Sequence, residues 1–183
     1  MDRIIDRRRW EAKHRDADFL GEPSSFLEEA LPFVPRGRAL DLASGLGANA
    51  LRLAAEGFQV DALDWSVEGL RKLSAAARLR DLEIRAVACD VTRFPVPPAR
   101  YALVTTIRYL DRTLWPSLVE ALMPGGALVI ETFTRRYLDR RPDFPAEYCL
   151  EEGELLSAFG ATLRVALYRE IPGEWTAALL AFR

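Results

Sequence analysis

Sulfur and imidazole are scarce in this 183-residue chain, which has two cysteines, two methionines and one histidine. Cys89 falls in an apolar stretch and Cys149 in a loop-like one, far apart and without ligand spacing. That excludes a disulfide framework and a zinc site, and it suits a reducing compartment. Lysine is nearly absent too, appearing only as Lys13 and Lys72 among 25 basic residues. The arginine excess is a bias of composition before it is a sign of function. Neither charge sign dominates, because 27 acidic residues leave a net charge of -2. Nothing therefore marks nucleic acid or an anionic membrane surface as a partner. No apolar run approaches the roughly 18 residues of a membrane-crossing helix. Asp2, Asp6 and Glu11 interrupt the N-terminal arginines, so neither a secretory nor a transit signal is expected, and the expected location is the cytoplasm.

Apolar residues are abundant, at 50% of the chain, enough for the core of one domain. Residues 37–66 organise it. A short apolar strand (Ala39 to Leu42) runs into a glycine turn (Gly45, Gly47) and an amphipathic helix (Asn49 to Glu56). A second strand (Phe58 to Leu63) follows and ends at Asp64. This is a βαβ unit whose bend needs residues without a Cβ, so that backbone N–H groups can approach a ligand closely. Asp64, at the end of the neighbouring strand, stands beside the same mouth and can accept both hydroxyls of a ribose. A nucleoside ligand is expected.

The rest alternates between strand and helix. Residues 1–34 read as a helical arm, with Ile4, Ile5, Trp10, Phe19 and Leu20 as its large apolar positions. In its second helix Ser24 or Ser25 caps the start, and Pro32 and Pro35 end it. Residues 37–183 read as the core. Ser66 caps a helix reaching about Arg80, and a third strand runs from Glu83 to Cys89 and ends at Asp90. Tyr101 to Ile107 is the fourth strand, a helix follows from about Asp111 to Leu122, and Met123-Pro124-Gly125-Gly126 turns into a fifth strand, Ala127 to Thr134. Residues 151–159 read as a short helix. The strands Ala161 to Tyr168 and Trp175 to Phe182 are joined by Ile171-Pro172-Gly173, too short for a crossover. They must form a hairpin, so the last strand is antiparallel. The class is α/β, a mostly parallel sheet with helices on both faces.

Gly45-Leu46-Gly47-Ala48-Asn49-Ala50 fits a loose dinucleotide pattern, G-x-G-x-x-A. Asp41 stands four residues before Gly45, however, where it repels a pyrophosphate and attracts an ammonium. The stretch resembles the first motif of the class I S-adenosylmethionine-dependent methyltransferases, D-x-G-x-G-x-G, with Ala43 in the first glycine slot. The resemblance implies a Rossmann-like three-layer sandwich of seven strands in the order 3-2-1-4-5-7-6, with S-adenosylmethionine as cofactor. It further implies that Asp41 orders the loop and favours the methionine ammonium, while Asp64 takes the ribose hydroxyls. Asp90 would accept from the adenine amino group, with the Val91 N–H at a ring nitrogen. Trp65 would wall the adenine, and Ala43, Gly45, Gly47 and Ile107 would complete the cofactor site. Arg108-Tyr109-Leu110-Asp111-Arg112, Pro124-Gly125-Gly126 and Glu131-Thr132-Phe133-Thr134-Arg135 are similar to the small bacterial tellurite-resistance and thiopurine-type branch. Ala102 and Asp111 depart from that branch, where an acid and a histidine are usual.

After the fourth strand, Thr106-Ile107-Arg108-Tyr109 replaces the Asn/Asp-Pro-Pro-Tyr of amino-methylating relatives. A small-molecule acceptor of oxygen, sulfur or oxyanion type is expected. Its pocket would come from the arm and the loops after strands four and five. Candidate catalytic groups are His14, Arg108 and Tyr109; a base is needed only for an acceptor that is protonated at working pH. His14 can be an exposed helix histidine, or a base or lid residue over the cofactor. Trp10 shares its helix face and is expected to pack. Arg108, Arg112, Arg135 and Arg136 form either a cationic rim for an anionic acceptor or exposed pairs with Asp111 and Asp139. A binding module without activity and a nicotinamide oxidoreductase remain the alternatives.

Overall fold

The computed structural model describes residues 3–17, 19–171, 173 and 175–183, with side chains from Arg8 onward except that of Ile171. Seven strands form one sheet: β1 Arg38–Leu42, β2 Gln59–Asp64, β3 Ile84–Ala88, β4 Tyr101–Ile107, β5 Leu122–Phe133, β6 Arg164–Ile171 and β7 Thr176–Phe182. Their order is β3-β2-β1-β4-β5-β7-β6. β3 through β5 pair in parallel, whereas β7 runs antiparallel to both β5 and β6. The expected fold class and the terminal hairpin are both observed. Pro172, in the hairpin connection, lies outside the described residues, as do the side chains of Ile4 and Ile5.

Strands covered on both faces carry apolar residues on both parities, and the two parities divide the core. Ala39, Leu103, Ala127 and Val129 face Phe26, Leu27, Leu53 and Leu73. Leu40, Leu42, Val104 and Leu128 face Leu118, Leu155 and Phe159. The first layer comes from α1 Arg3–Arg15, α2 Ser25–Ala30, α3 Ala48–Ala55 and α4 Val67–Leu79, and the second from α5 Trp115–Ala121 and α7 Glu154–Phe159. A four-residue helix, α6 Tyr137–Arg140, lies in the long loop after β5. Ser24 and Ser66 act as the anticipated caps, accepting from Leu27 N and Gly69 N. Each such bond removes an orphan donor worth about 1 kcal/mol. Among the described residues no helix is long and apolar enough to cross a membrane.

Several boundaries differ from the sequence reading for local reasons. The Met123–Gly126 turn is absorbed into β5 as a bulge, since Tyr101 pairs with Leu122 and Leu103 with Ala127. The helix expected from Asp111 divides into a tight turn, Arg112–Leu114, capped by Asp111, and then α5 with a proline in its first turn. β6 begins at Arg164 rather than Ala161 because Thr162 and Leu163 still bond back to the Phe159 carbonyl. Pro32 tightens the end of α2 into the turn Leu31–Phe33.

A carboxylate unforeseen in sequence fastens the far end of the sheet. Asp61 is fully buried on β2, and it accepts from Arg38 at 3.1 Å, Arg85 at 2.8 Å and the Tyr101 hydroxyl at 2.9 Å. Residues of β1, β3 and β4 thus share the charge of one carboxylate on β2. Arg38 and Arg85 keep part of their surface in water, whereas Tyr101 is fully buried and would lose its acceptor, so Asp61→Ala is expected to cost about 1–3 kcal/mol in urea denaturation. An unchanged denaturation midpoint would show that the Tyr101 hydroxyl finds another acceptor.

Candidate active site

The carboxyl ends of β1, β2 and β3 carry Asp41, Asp64 and, two residues past β3, Asp90. Asp64 is the structural hinge of this rim. Its Oδ2 accepts from the Gly45 N–H and its Oδ1 from the Ser66 N–H, both at 2.8 Å. One carboxylate thereby joins the glycine turn after β1 to the start of α4. The turn itself uses the left-handed region three times, with φ +58° at Ala43, +57° at Gly45 and +84° at Gly47. Glycine adopts this at no cost, but at Ala43 the methyl adds strain of about 1–2 kcal/mol. Ala43, in the first glycine slot of the motif, thus strains the turn. At Gly47 an added Cβ would fall 2.3 Å from Leu73 Cδ1.

Asp41 lies beneath this turn with 1% of its surface exposed. The Thr105 hydroxyl donates to Oδ1 at 2.9 Å, while Oδ2 is buried with no partner. Burial pushes its pKa up to about 7, the Thr105 bond opposes this, and the charge of Asp64 adds to it. Asp90 accepts from the Thr92 N–H and hydroxyl at 3.0 and 2.7 Å. Cys89, between the two rim acids, is raised to about 11 by burial and by the charges of Asp64 and Asp90. Val91 is buried, and Trp65 is half-buried with its indole N–H unpartnered. Ile107 packs half-buried at the end of β4.

The arm closes over this rim. Lys72 on α4 donates to the carbonyls of His14, Arg15 and Ala17 at 2.7, 2.8 and 2.5 Å, which satisfies the C-terminal end of α1. Glu11 accepts from the Glu68 N–H at 3.2 Å in the first turn of α4. Between these ties, His14 is only 6% exposed, so it is not the exposed helix histidine. A Cβ on Gly45 would meet its Nε2 at 3.5 Å, and one on Gly69 its Nδ1 at 2.9 Å. Burial lowers the His14 pKa, against the opposing charge of Asp64. The imidazole therefore stands beside Asp64, over the glycine turn. Trp10 is 42% exposed, its ring 5.6 Å from that of His14.

On the acceptor side the arginines divide. Arg112 pairs with Glu154 and Arg135 with Glu151, not with Asp111 and Asp139. Arg108 is exposed in a left-handed conformation, and its N–H donates to the Glu131 carbonyl at 2.7 Å. Burial lowers the pKa of Lys13 on α1, and the charges of Arg9 and Arg108 add to this. Tyr109 is half-buried against the second layer. Sequence reasoning overlooked Glu131 as a site group: it is 3% exposed on β5 and accepts from the Ser24 hydroxyl. A lone charge inside an apolar strand was the available signal. Among the described residues no cluster could hold a metal ion.

The sheet order and the antiparallel β7 are those of the class I S-adenosylmethionine-dependent methyltransferase fold. Residues 39–126, which carry the turn, Asp64 and Asp90, match the family described as methyltransferase domain. A demethylmenaquinone methyltransferase of Clavibacter sepedonicus is 33% identical over 102 residues, covering 53% of this chain and 41% of that protein. The chain thus spans less than half the length of that curated relative. Among solved structures, an S-adenosylmethionine-dependent methyltransferase from Aquifex aeolicus has a TM-score of 0.69 at 18% identity, covering 97% of this chain and 98% of that one. TehB from Haemophilus influenzae has 0.73 at 17% identity, covering 87% and 62%.

The state of Asp41 can be read from stability. A folded-state pKa of about 7, well above the ordinary aspartate range, means the native protein keeps a proton that the unfolded chain gives up. Its contribution is present at low pH and lost as pH rises through 7. Relative to Asp41→Asn, the protein is expected to lose up to about 4 kcal/mol between about pH 4 and pH 7. Parallel urea curves for the two proteins across that window would remove the assignment.

Proposed function

We propose that the protein binds S-adenosylmethionine at the rim of β1, β2 and β3 and transfers its methyl group to a small-molecule acceptor. One observation carries this reading: a buried, half-unpartnered carboxyl at Asp41 beneath a turn whose glycines leave room for a ligand. The donor set fits the cofactor, with an acid for the ammonium, acceptors at Asp64 for ribose hydroxyls and a polar strand end at Asp90 for the adenine. When bound, the cofactor supplies an electrophilic methyl group on a cationic sulfur. The chain has to position both partners. Each Asp64 oxygen spends one lone-pair direction on a backbone N–H and keeps another for a hydroxyl. Trp65 and Ile107 would flank the ligand, and the Val91 N–H would reach the adenine ring. Ala43, Gly45 and Gly47 shape the turn.

Holding an acceptor in line with the methyl carbon contributes roughly 7–11 kcal/mol without covalent chemistry. The loops after β4 and β5 and the arm would supply that hold, with Arg108, Tyr109 and His14 as the candidate groups. The name of the curated relative supports a small molecule as acceptor. The near-neutral charge, -2 overall, supports an enzyme of small molecules over one of nucleic acid. We read residues 1–183 as a single methyltransferase domain, with 1–34 as arm and lid, acting in the cytoplasm.

Calorimetry with S-adenosylhomocysteine is the direct test. Binding is expected for the native chain and lost in Asp64→Ala with the fold intact. An ammonium brought to Asp41 should return its pKa to the carboxylate range, so binding at pH 7 releases up to about half a proton. That release shows as a dependence of binding heat on buffer ionisation, and it disappears in Asp41→Asn. A binding heat independent of buffer would refute the ammonium contact. His14→Ala, which empties the space over Gly45, is expected to raise affinity at least tenfold; unchanged affinity would mean that the ring does not stand in the ligand's place.

A further inference from the structure

The upper end of β5 carries a cluster of polar and aromatic side chains that the matched segment, residues 39–126, does not include. Glu131 lies on the same face of the sheet as Asp41, because Asp41 pairs with Thr105 on β4 and Ile107 with Glu131. Two strand spacings and one two-residue step separate the carboxyls, roughly 10 Å across the sheet and 7 Å along it. Unlike Asp61, Glu131 pairs with no cation among the described residues; the Ser24 hydroxyl is the donor it uses. A buried carboxylate without a counter-charge is costly where it serves packing alone.

Two residues further on, Phe133 lies on the same face and stacks on Tyr137 with ring centroids 4.0 Å apart. Phe144 closes on both rings edge to face, at 5.6 and 5.2 Å. All three rings are half-buried. Opposite Phe133, Thr176 of β7 is 3% exposed, and its hydroxyl is buried without a partner. A carboxylate, an unused hydroxyl and a wall of rings converge on one face, next to the end of β4. Resting on the methyl-donor reading above, we propose that this is the acceptor site and that it takes a flat aromatic compound bearing a hydroxyl group, whose proton passes to Glu131.

The chemistry balances within these groups. The acceptor O–H bond breaks and its proton goes to a Glu131 Oε. An oxygen electron pair forms the new bond to the methyl carbon, and the pair of the broken carbon–sulfur bond stays on sulfur and discharges the sulfonium. Thr176 holds a second polar atom of the ring compound, and Phe133 and Tyr137 set its plane. To admit the hydroxyl, Glu131 exchanges the Ser24 donor for the acceptor, which moves the start of α2 but not the sheet.

The probe is 2-naphthol, whose excited state gives up its proton to a nearby base and then emits as the naphtholate. With the native chain saturated with S-adenosylhomocysteine, bound 2-naphthol is expected to show naphtholate emission. Glu131→Gln should keep naphthol affinity within threefold and lose that emission, Glu131→Asp should reduce it, and Phe133→Ala should weaken binding at least tenfold. Failure of the loaded protein to bind naphthol, equal affinity in Phe133→Ala, or naphtholate emission persisting in Glu131→Gln would overturn the acceptor site. A native chain that does not bind S-adenosylhomocysteine would instead overturn the methyl-donor reading itself.

Discussion

The carboxylate of Asp64 is the interaction on which the upper rim depends. Its two oxygens hold one N–H from the glycine turn and one from the start of α4, and its own backbone carbonyl accepts from Cys89 beyond β3. Charge-assisted bonds to backbone donors are short and strong. They set the distance between two elements that sequence alone leaves independent. Once α4 is placed, its first turn offers the Glu68 N–H to α1, and Lys72, one turn further, reaches the arm's last carbonyls. The closed arm is thus a downstream consequence of one side chain at a strand end.

Besides Asp64, three buried acids of the sheet do different work, and their partners show it. Asp61, at the lower end, is surrounded by two guanidinium groups and a phenol, and acts as a fastener. Asp41 has a hydroxyl and an unused oxygen. Glu131 has the Ser24 hydroxyl, at the opposite side of the same face, and pairs with no cation among the described residues. Carboxylates that face cations are explained by the fold. Those that face neutral donors keep capacity for a ligand.

The alternating elements, the hairpin at the end and the acid-flanked turn were legible because each rests on short-range rules: periodicity, a link too short to cross over, and glycine where φ turns positive; the strand order came from the family resemblance. Ser24 and Ser66 were legible as caps for the same reason. The burial of His14 was not, since it depends on Lys72 and Glu68, more than fifty residues away, and on the small size of Gly45 and Gly69. Glu131 was visible as a residue but its burial was not, because the Ser24 hydroxyl reaches it from more than a hundred residues away. The bulge at Met123–Gly126 was read as a turn because proline and glycine signal both, and only pairing with β4 distinguishes them.

Lys72 grips α1 through main-chain oxygens, not side chains. Such a clasp places almost no demand on which amino acids the arm contains, only that a helix stop there with its carbonyls bare. The arm can therefore drift in sequence, and with it whatever small molecule it helps to admit, while its mooring on the core stays the same.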